Sequence, residues 1–78
     1  FKFGKTDPVL FEKMRNLRLE IAKRENKAPY MIFSDNTLQQ LAAVKPKQLK
    51  EFTTIEGIGN HKKDLYGAPF LQLILENN

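Results

Sequence analysis

Seventy-eight residues allow one domain at most, and a chain this short buries only about 60% of the surface its unfolded form exposes, so its core must be economical. With no cysteine there is no disulfide or thiolate metal site, so packing alone must hold the fold, and a reducing compartment suits it. Thirteen Lys and Arg against nine Asp and Glu give a net charge of +4, which favours a polyanion such as DNA or RNA but serves equally as a solubilising surface.

Phe1–Thr6 (FKFGKT) has no helical period and reads as a linker or cloning remnant, with an aromatic available to dock on a neighbouring domain. Asp7-Pro8 is a helix start, an N-cap acceptor followed by proline at the first helical position. Leu10, Met14, Leu17 and Ile21 then recur on one helical face, which predicts a helix to about Glu25 or Asn26. Pro29 biases Ala28 towards extended backbone. Tyr30-Met31-Ile32-Phe33 is too isolated to make a sheet and reads as a buried connector. Ser34 or Asp35 caps a second helix that carries Leu38, Leu41 and Ala42 and ends before Pro46.

A third short helix is predicted over Pro46 to Thr53, with Leu49, Phe52 and the following Ile55 inward. Gly57 and Gly59 mark a tight turn. Asn60 to Tyr66 reads as a fourth helix stopped by Gly67, and Pro69 opens a fifth with Phe70, Leu71, Leu73, Ile74 and Leu75 mostly buried. The expectation is an all-α fold, a compact orthogonal bundle of about five short helices. No run approaches the roughly 18–20 apolar residues of a membrane span and no signal peptide opens the chain, so it is expected to be soluble and intracellular.

Candidate chemistry is sparse. His61 is the only histidine and sits in a solvated His61-Lys62-Lys63 run, a poor start for a metal site. Ser34, the only serine, is better placed as a helix cap than as a nucleophile. Glu20 and Arg24 stand at the i, i+4 spacing of an exposed ion pair. No GxxxxGK[ST] phosphate loop occurs, and no active site, cofactor or metal is expected.

Two stretches bear on binding. Ile55-Glu56-Gly57-Ile58-Gly59 resembles the turn of a helix-hairpin-helix DNA-binding motif, with Lys62 and Lys63 in the first turn of the next helix. The other reading is a plain steric turn between packed helices. Lys23-Arg24-Glu25-Asn26-Lys27-Ala28-Pro29-Tyr30 puts basic side chains at a helix end ahead of a tyrosine. That is either helix capping by cations with a core tyrosine, or a stacking platform for an unpaired base with cations along the phosphates.

Leu17-Arg18, Ile21-Ala22 and Pro29-Tyr30-Met31-Ile32-Phe33-Ser34-Asp35-Asn36-Thr37-Leu38, followed by Ile58-Gly59 and Tyr66-Gly67-Ala68-Pro69-Phe70-Leu71, resemble the helicase and ribonuclease D C-terminal (HRDC) domain. The resemblance runs from about Val9 to Leu75 and is strongest to the domain of bacterial RecQ-type DNA helicases. It implies a five-helix bundle over residues 7–78 without catalytic activity, weak binding of single-stranded or partly single-stranded DNA, and a parent helicase acting in DNA repair and recombination. Tyr30 falls on the family's DNA-contacting aromatic position, with Lys23, Arg24 and Lys27 as neighbouring cations. Gly57 and Gly59 become structural under that reading. Ala28 stands where many relatives have a second proline, which loosens the approach to Tyr30 without moving it.

The expectation is therefore an auxiliary DNA-binding domain, monomeric and tethered behind the helicase core, in the cytoplasm of a bacterium and associated with its nucleoid. The alternatives are a protein-docking module, for which an outward Leu19 is the hint, and an RNA-binding domain of a ribonuclease D-like exonuclease.

Overall fold

In the computed structural model, which describes residues 6–77, the Asp7 carboxylate accepts the backbone N–H groups of Val9 (3.0 Å) and Leu10 (3.2 Å) and so caps α1 (Pro8–Glu25). The same side chain pairs with Lys45 at 3.3 Å, tying the start of α1 to the end of the second helix. The expected linker lies, except for Thr6, outside the described residues. At the other end of α1, Asn26 takes left-handed backbone (φ 57°), and the N–H groups of Asn26 and Lys27 return to the carbonyls of Lys23 and Ala22. That cap reverses the chain without a glycine.

A 3-10 turn, η1 (Pro29–Met31), follows. The expected buried connector is buried only in its second half: Ile32 and Phe33 are in the core, while Tyr30 and Met31 face solvent. Ser34 then caps α2 (Asp35–Val44) by accepting from the Thr37 N–H at 3.2 Å. The predicted third helix is a shorter 3-10 helix, η2 (Leu49–Thr54), with Phe52 and the following Ile55 buried.

The largest departure is at the end. The predicted fourth and fifth helices are one continuous helix, α3 (Asn60–Glu76), which runs through Gly67 and Pro69. Glycine and proline there cost roughly 1 and 3 kcal/mol as helix residues. Continuity places Tyr66, Phe70 and Ile74 at i, i+4 and i+8 on one buried face, and fully burying such side chains contributes about 1.5–3 kcal/mol each. Gly67 has a packing role: a Cβ there would run into the Leu49 side chain of η2. Leu71 and Leu73 are only half-buried and Leu75 is exposed, contrary to expectation. The fold is thus three α-helices and two 3-10 elements, all-α, with no strand among the described residues.

Phe33 fills the middle of the core. Its ring meets Tyr66 edge-on at 6.2 Å and Phe70 at 5.1 Å. Leu10, Met14 and Ile21 of α1 and Leu38 and Leu41 of α2 close around them. Arg18, on the buried side of α1, fixes the entry to this arrangement: its guanidinium donates to the Phe33 carbonyl at 3.0 Å and pairs with Asp35 at 2.8 Å.

The glycine turn is pinned to α2. Thr37 Oγ1 donates to the Glu56 carbonyl (2.9 Å), and the Glu56 N–H donates to Gln40 Oε1 (3.2 Å) from a fully buried Gln40. Gly57 has φ +92°, and a Cβ on it would collide with the Thr37 hydroxyl. Gly59 has φ −93° and open space where a Cβ would go.

Gly57→Ala should therefore destabilise the chain by about 1 kcal/mol or more, whereas Gly59→Ala should stay within about 0.5 kcal/mol. Urea unfolding of both variants checks this; equal effects would refute the distinction. Arg18→Met keeps most of the packing but leaves the buried Phe33 carbonyl without its donor, so the same measurement should show a loss of about 1–3 kcal/mol.

Candidate nucleic-acid interface

The return of the chain after Asn26 lays η1 against α1, and the arrangement sorts two nearby aromatics in opposite directions. Phe33 is 1% exposed and Tyr30 is 72% exposed. Of the two readings left open by the sequence, a core tyrosine is thereby excluded. Neither a hydrogen bond nor a ring contact engages Tyr30 among the described residues, and most of its surface is open to a partner.

The cations expected around it are distributed unevenly. Lys23 is exposed one turn beyond Leu19 on the outer side of α1, with no ion pair among the described residues. Arg24 is exposed too but points about 100° further round the helix, and the Glu20–Arg24 pair that the spacing allows is not formed. Lys62, on the first turn of α3, likewise has no ion pair there, while Lys63 pairs with Asp64 at 3.6 Å and packs its stem beside Gly67. The two lysines of that turn thus face different ways.

Lys27 is occupied by the fold. Its ammonium donates to the Tyr66 hydroxyl at 3.3 Å and pairs with Glu25 at 3.5 Å, while the Tyr66 hydroxyl donates to Glu25 at 2.7 Å. This three-residue network ties the end of α1 to α3 from opposite sides of Asn26. It raises the Lys27 pKa, through the Tyr66 hydroxyl first, and lowers that of Glu25 for the same leading reason. Sequence reading missed it because its members lie about forty residues apart, and nothing local marks Tyr66 as more than a core aromatic. Lys62 stands one helical turn before Tyr66 on α3.

Two N–H groups of the glycine turn are spent within the fold. The Glu56 N–H is taken by Gln40 and the Ile58 N–H by the Ile55 carbonyl, which supports a structural role for Gly57. His61 is exposed at the start of α3, and Ser34 is engaged as the cap of α2. Among the described residues no three His, Cys, Asp or Glu side chains gather as metal ligands, and no helix is long and apolar enough to cross a membrane.

The sequence profile of the HRDC domain matches residues 7–74. The chain is 42% identical over 71 residues to the ATP-dependent DNA helicase RecQ of Haemophilus influenzae, which covers 91% of this chain. It is 35% identical over 77 residues to the RecQ of Pasteurella multocida, covering 99% of it. The chain spans 12% of the length of each of these relatives. Among solved structures, D. radiodurans RecQ HRDC domain 3 superposes with a TM-score of 0.83 and 32% identity, over 87% of this chain and 90% of that one.

The Tyr66 network has a pH signature. Glu25 is more acidic in the folded chain than its ordinary 4.5, so its contribution to stability is complete above that value and fades as pH falls through the lower folded one. Tyr66→Phe removes the leading cause of that depression. The gap in thermal midpoint between wild type and Tyr66→Phe should accordingly be wider at neutral pH than in acid, and a gap that does not narrow on acidification contradicts the assignment.

Proposed function

The chain belongs to the HRDC domain family, and on that premise we propose that it is the accessory nucleic-acid-binding domain of a RecQ-type ATP-dependent DNA helicase, itself without catalytic activity. It holds single-stranded or partly single-stranded DNA for a motor core in the same polypeptide. One observation carries this reading: the ring of Tyr30, 72% exposed, stands on a turn whose backbone is fixed on both sides. An exposed aromatic on a fixed turn, with cations on the helix end before it, is a platform for an unpaired base, and stacking tolerates any base because every base has a π-face. Lys23, Arg24 and Lys62 supply charge for phosphates, and Lys27 and Lys63 contribute less because each already has a carboxylate partner. Weak binding suffices, since tethering raises the effective concentration towards the mM range.

A second reading, docking on a protein surface, is favoured by Leu19 and Met31, apolar side chains that are 43% and 47% exposed and flank the same turn.

Tyr30→Ala separates the two. It should weaken binding of a fluorescent single-stranded oligonucleotide by about 5- to 150-fold, the range for loss of one stacked base. Tyr30→Phe should retain most of the affinity. The thermal midpoint should hold in both, because an exposed substitution stays within about 0.5 kcal/mol. The slope of log affinity against log salt should be about −0.7 for each phosphate neutralised, so about −2 for Lys23, Arg24 and Lys62 together. A folded Tyr30→Ala chain that binds as tightly as wild type would leave protein docking as the function, and tighter binding of RNA of matched sequence would favour the ribonuclease D-like parent.

A further inference from the structure

Immediately before Tyr30, Pro29 forms one wall of a hollow of about 180 Å³ whose other walls come from α1: Glu12, Arg15, Asn16, Arg18 and Leu19. This is too small for a drug-sized ligand, which needs about 300–1,000 Å³, and about right for a single flat heterocycle. We propose that it receives the nucleobase neighbouring the one on Tyr30, and that it prefers guanine to thymine. The inference rests on the single-strand reading above and adds a specificity to it.

The chemistry of the walls selects the occupant. Leu19 and Pro29 are apolar, and Leu19 is the half-exposed residue on α1 that the core leaves without a role. The two cations present are already paired. Arg15 holds Glu12 at 3.1 Å, and Arg18 holds Asp35 and the Phe33 carbonyl. A phosphate would therefore meet a carboxylate at the rim, with Arg15 turned to Glu12, Arg18 turned to Asp35 and the Phe33 carbonyl, and the partnerless Arg18 Nε buried out of its reach. A neutral base has no such penalty. Its faces can lie on Leu19 and Pro29, and its edge can reach the Asn16 amide, which has no partner among the described residues, and the Glu12 carboxylate, which accepts from a single Arg15 nitrogen and keeps lone pairs open to solvent. A carboxylate is an acceptor only. Guanine presents it with two adjacent donors, the ring N1–H and the exocyclic amine, where thymine presents one N–H between two carbonyl oxygens. Pro29 and Tyr30 are consecutive, with Cα atoms about 3.8 Å apart, so one strand can place neighbouring nucleotides at the two positions.

Two fluorescent oligonucleotides of equal length test this, one entirely thymidine and one with a single central guanosine. Wild type should bind the guanosine-containing strand about 5-fold more tightly, the low end for a bidentate contact to a base edge. Glu12→Gln should bring that ratio to about one. The ratio is the readout because freeing Arg15 strengthens binding of both strands alike. Leu19→Glu, which fills and charges the hollow, should also abolish the preference without lowering the thermal midpoint. Equal binding of both strands by wild type overturns the slot, as does a preference that survives both substitutions. If Tyr30→Ala still weakens both strands in that event, the stacking function stands and the slot alone falls. Failure of wild type to bind either strand removes both.

Discussion

A carbonyl oxygen buried between helices must be given a donor or it costs about 1–3 kcal/mol, and at Phe33 that donor is Arg18. The bond does more than satisfy one atom. It holds the chain at the point where η1 gives way to α2, and so decides that the Phe33 ring enters the core between Tyr66 and Phe70. With Phe33 inside, η1 is held at the surface as a 3-10 turn that ends before Phe33, and Tyr30 stands exposed on it. Asp35, on the first turn of α2, completes the hold on the guanidinium from a largely solvent-facing position. The exposed ring on which the proposed function depends is therefore set from the opposite side of the turn, by a charged residue in the apolar face of α1.

Much of this was legible in the residues, and the illegible part has identifiable causes. Asp7-Pro8 and Ser34 marked their helix starts because capping is local chemistry, complete within four residues. The split between an outward Tyr30 and an inward Phe33 rested on resemblance as much as on physics, since their spacing alone allows either to be core. The continuity of α3 was misread because glycine and proline are breakers by local rule, while the gain that overrides them comes from η2 and Phe33, both distant in sequence. Arg18 did leave a signal. It falls between Met14 and Ile21 on the buried face, where an unpaired charge would be costly, and that position alone calls for a buried partner.

The candidate cations illustrate the limits of counting charge. Seven Lys and Arg side chains near the turn look alike in sequence or on a helical wheel. Three-dimensional pairing divides them: Lys27 and Lys63 answer carboxylates of the chain itself, Arg15 and Arg18 are held by Glu12 and Asp35, and Lys23, Arg24 and Lys62 carry no such partner. An excess of +4 over the whole chain thus says less about a polyanion partner than the few cations whose charge remains uncompensated.

The segment from Glu25 to Phe33 is fastened at each stage: by the left-handed cap at Asn26, by Lys27 on Tyr66, by the ring of Pro29, and by Arg18 on Phe33. Its backbone entropy is surrendered when the chain folds, so under the proposed function a strand would meet a turn whose backbone needs no further ordering. Encounter then resembles the docking of two preformed surfaces, limited by orientation and diffusion rather than by a closing loop. The proposed contact would then form quickly and, resting on one ring and a few cations, release quickly. That is a kinetic profile suited to a hold that must be renewed each time the nucleic acid moves.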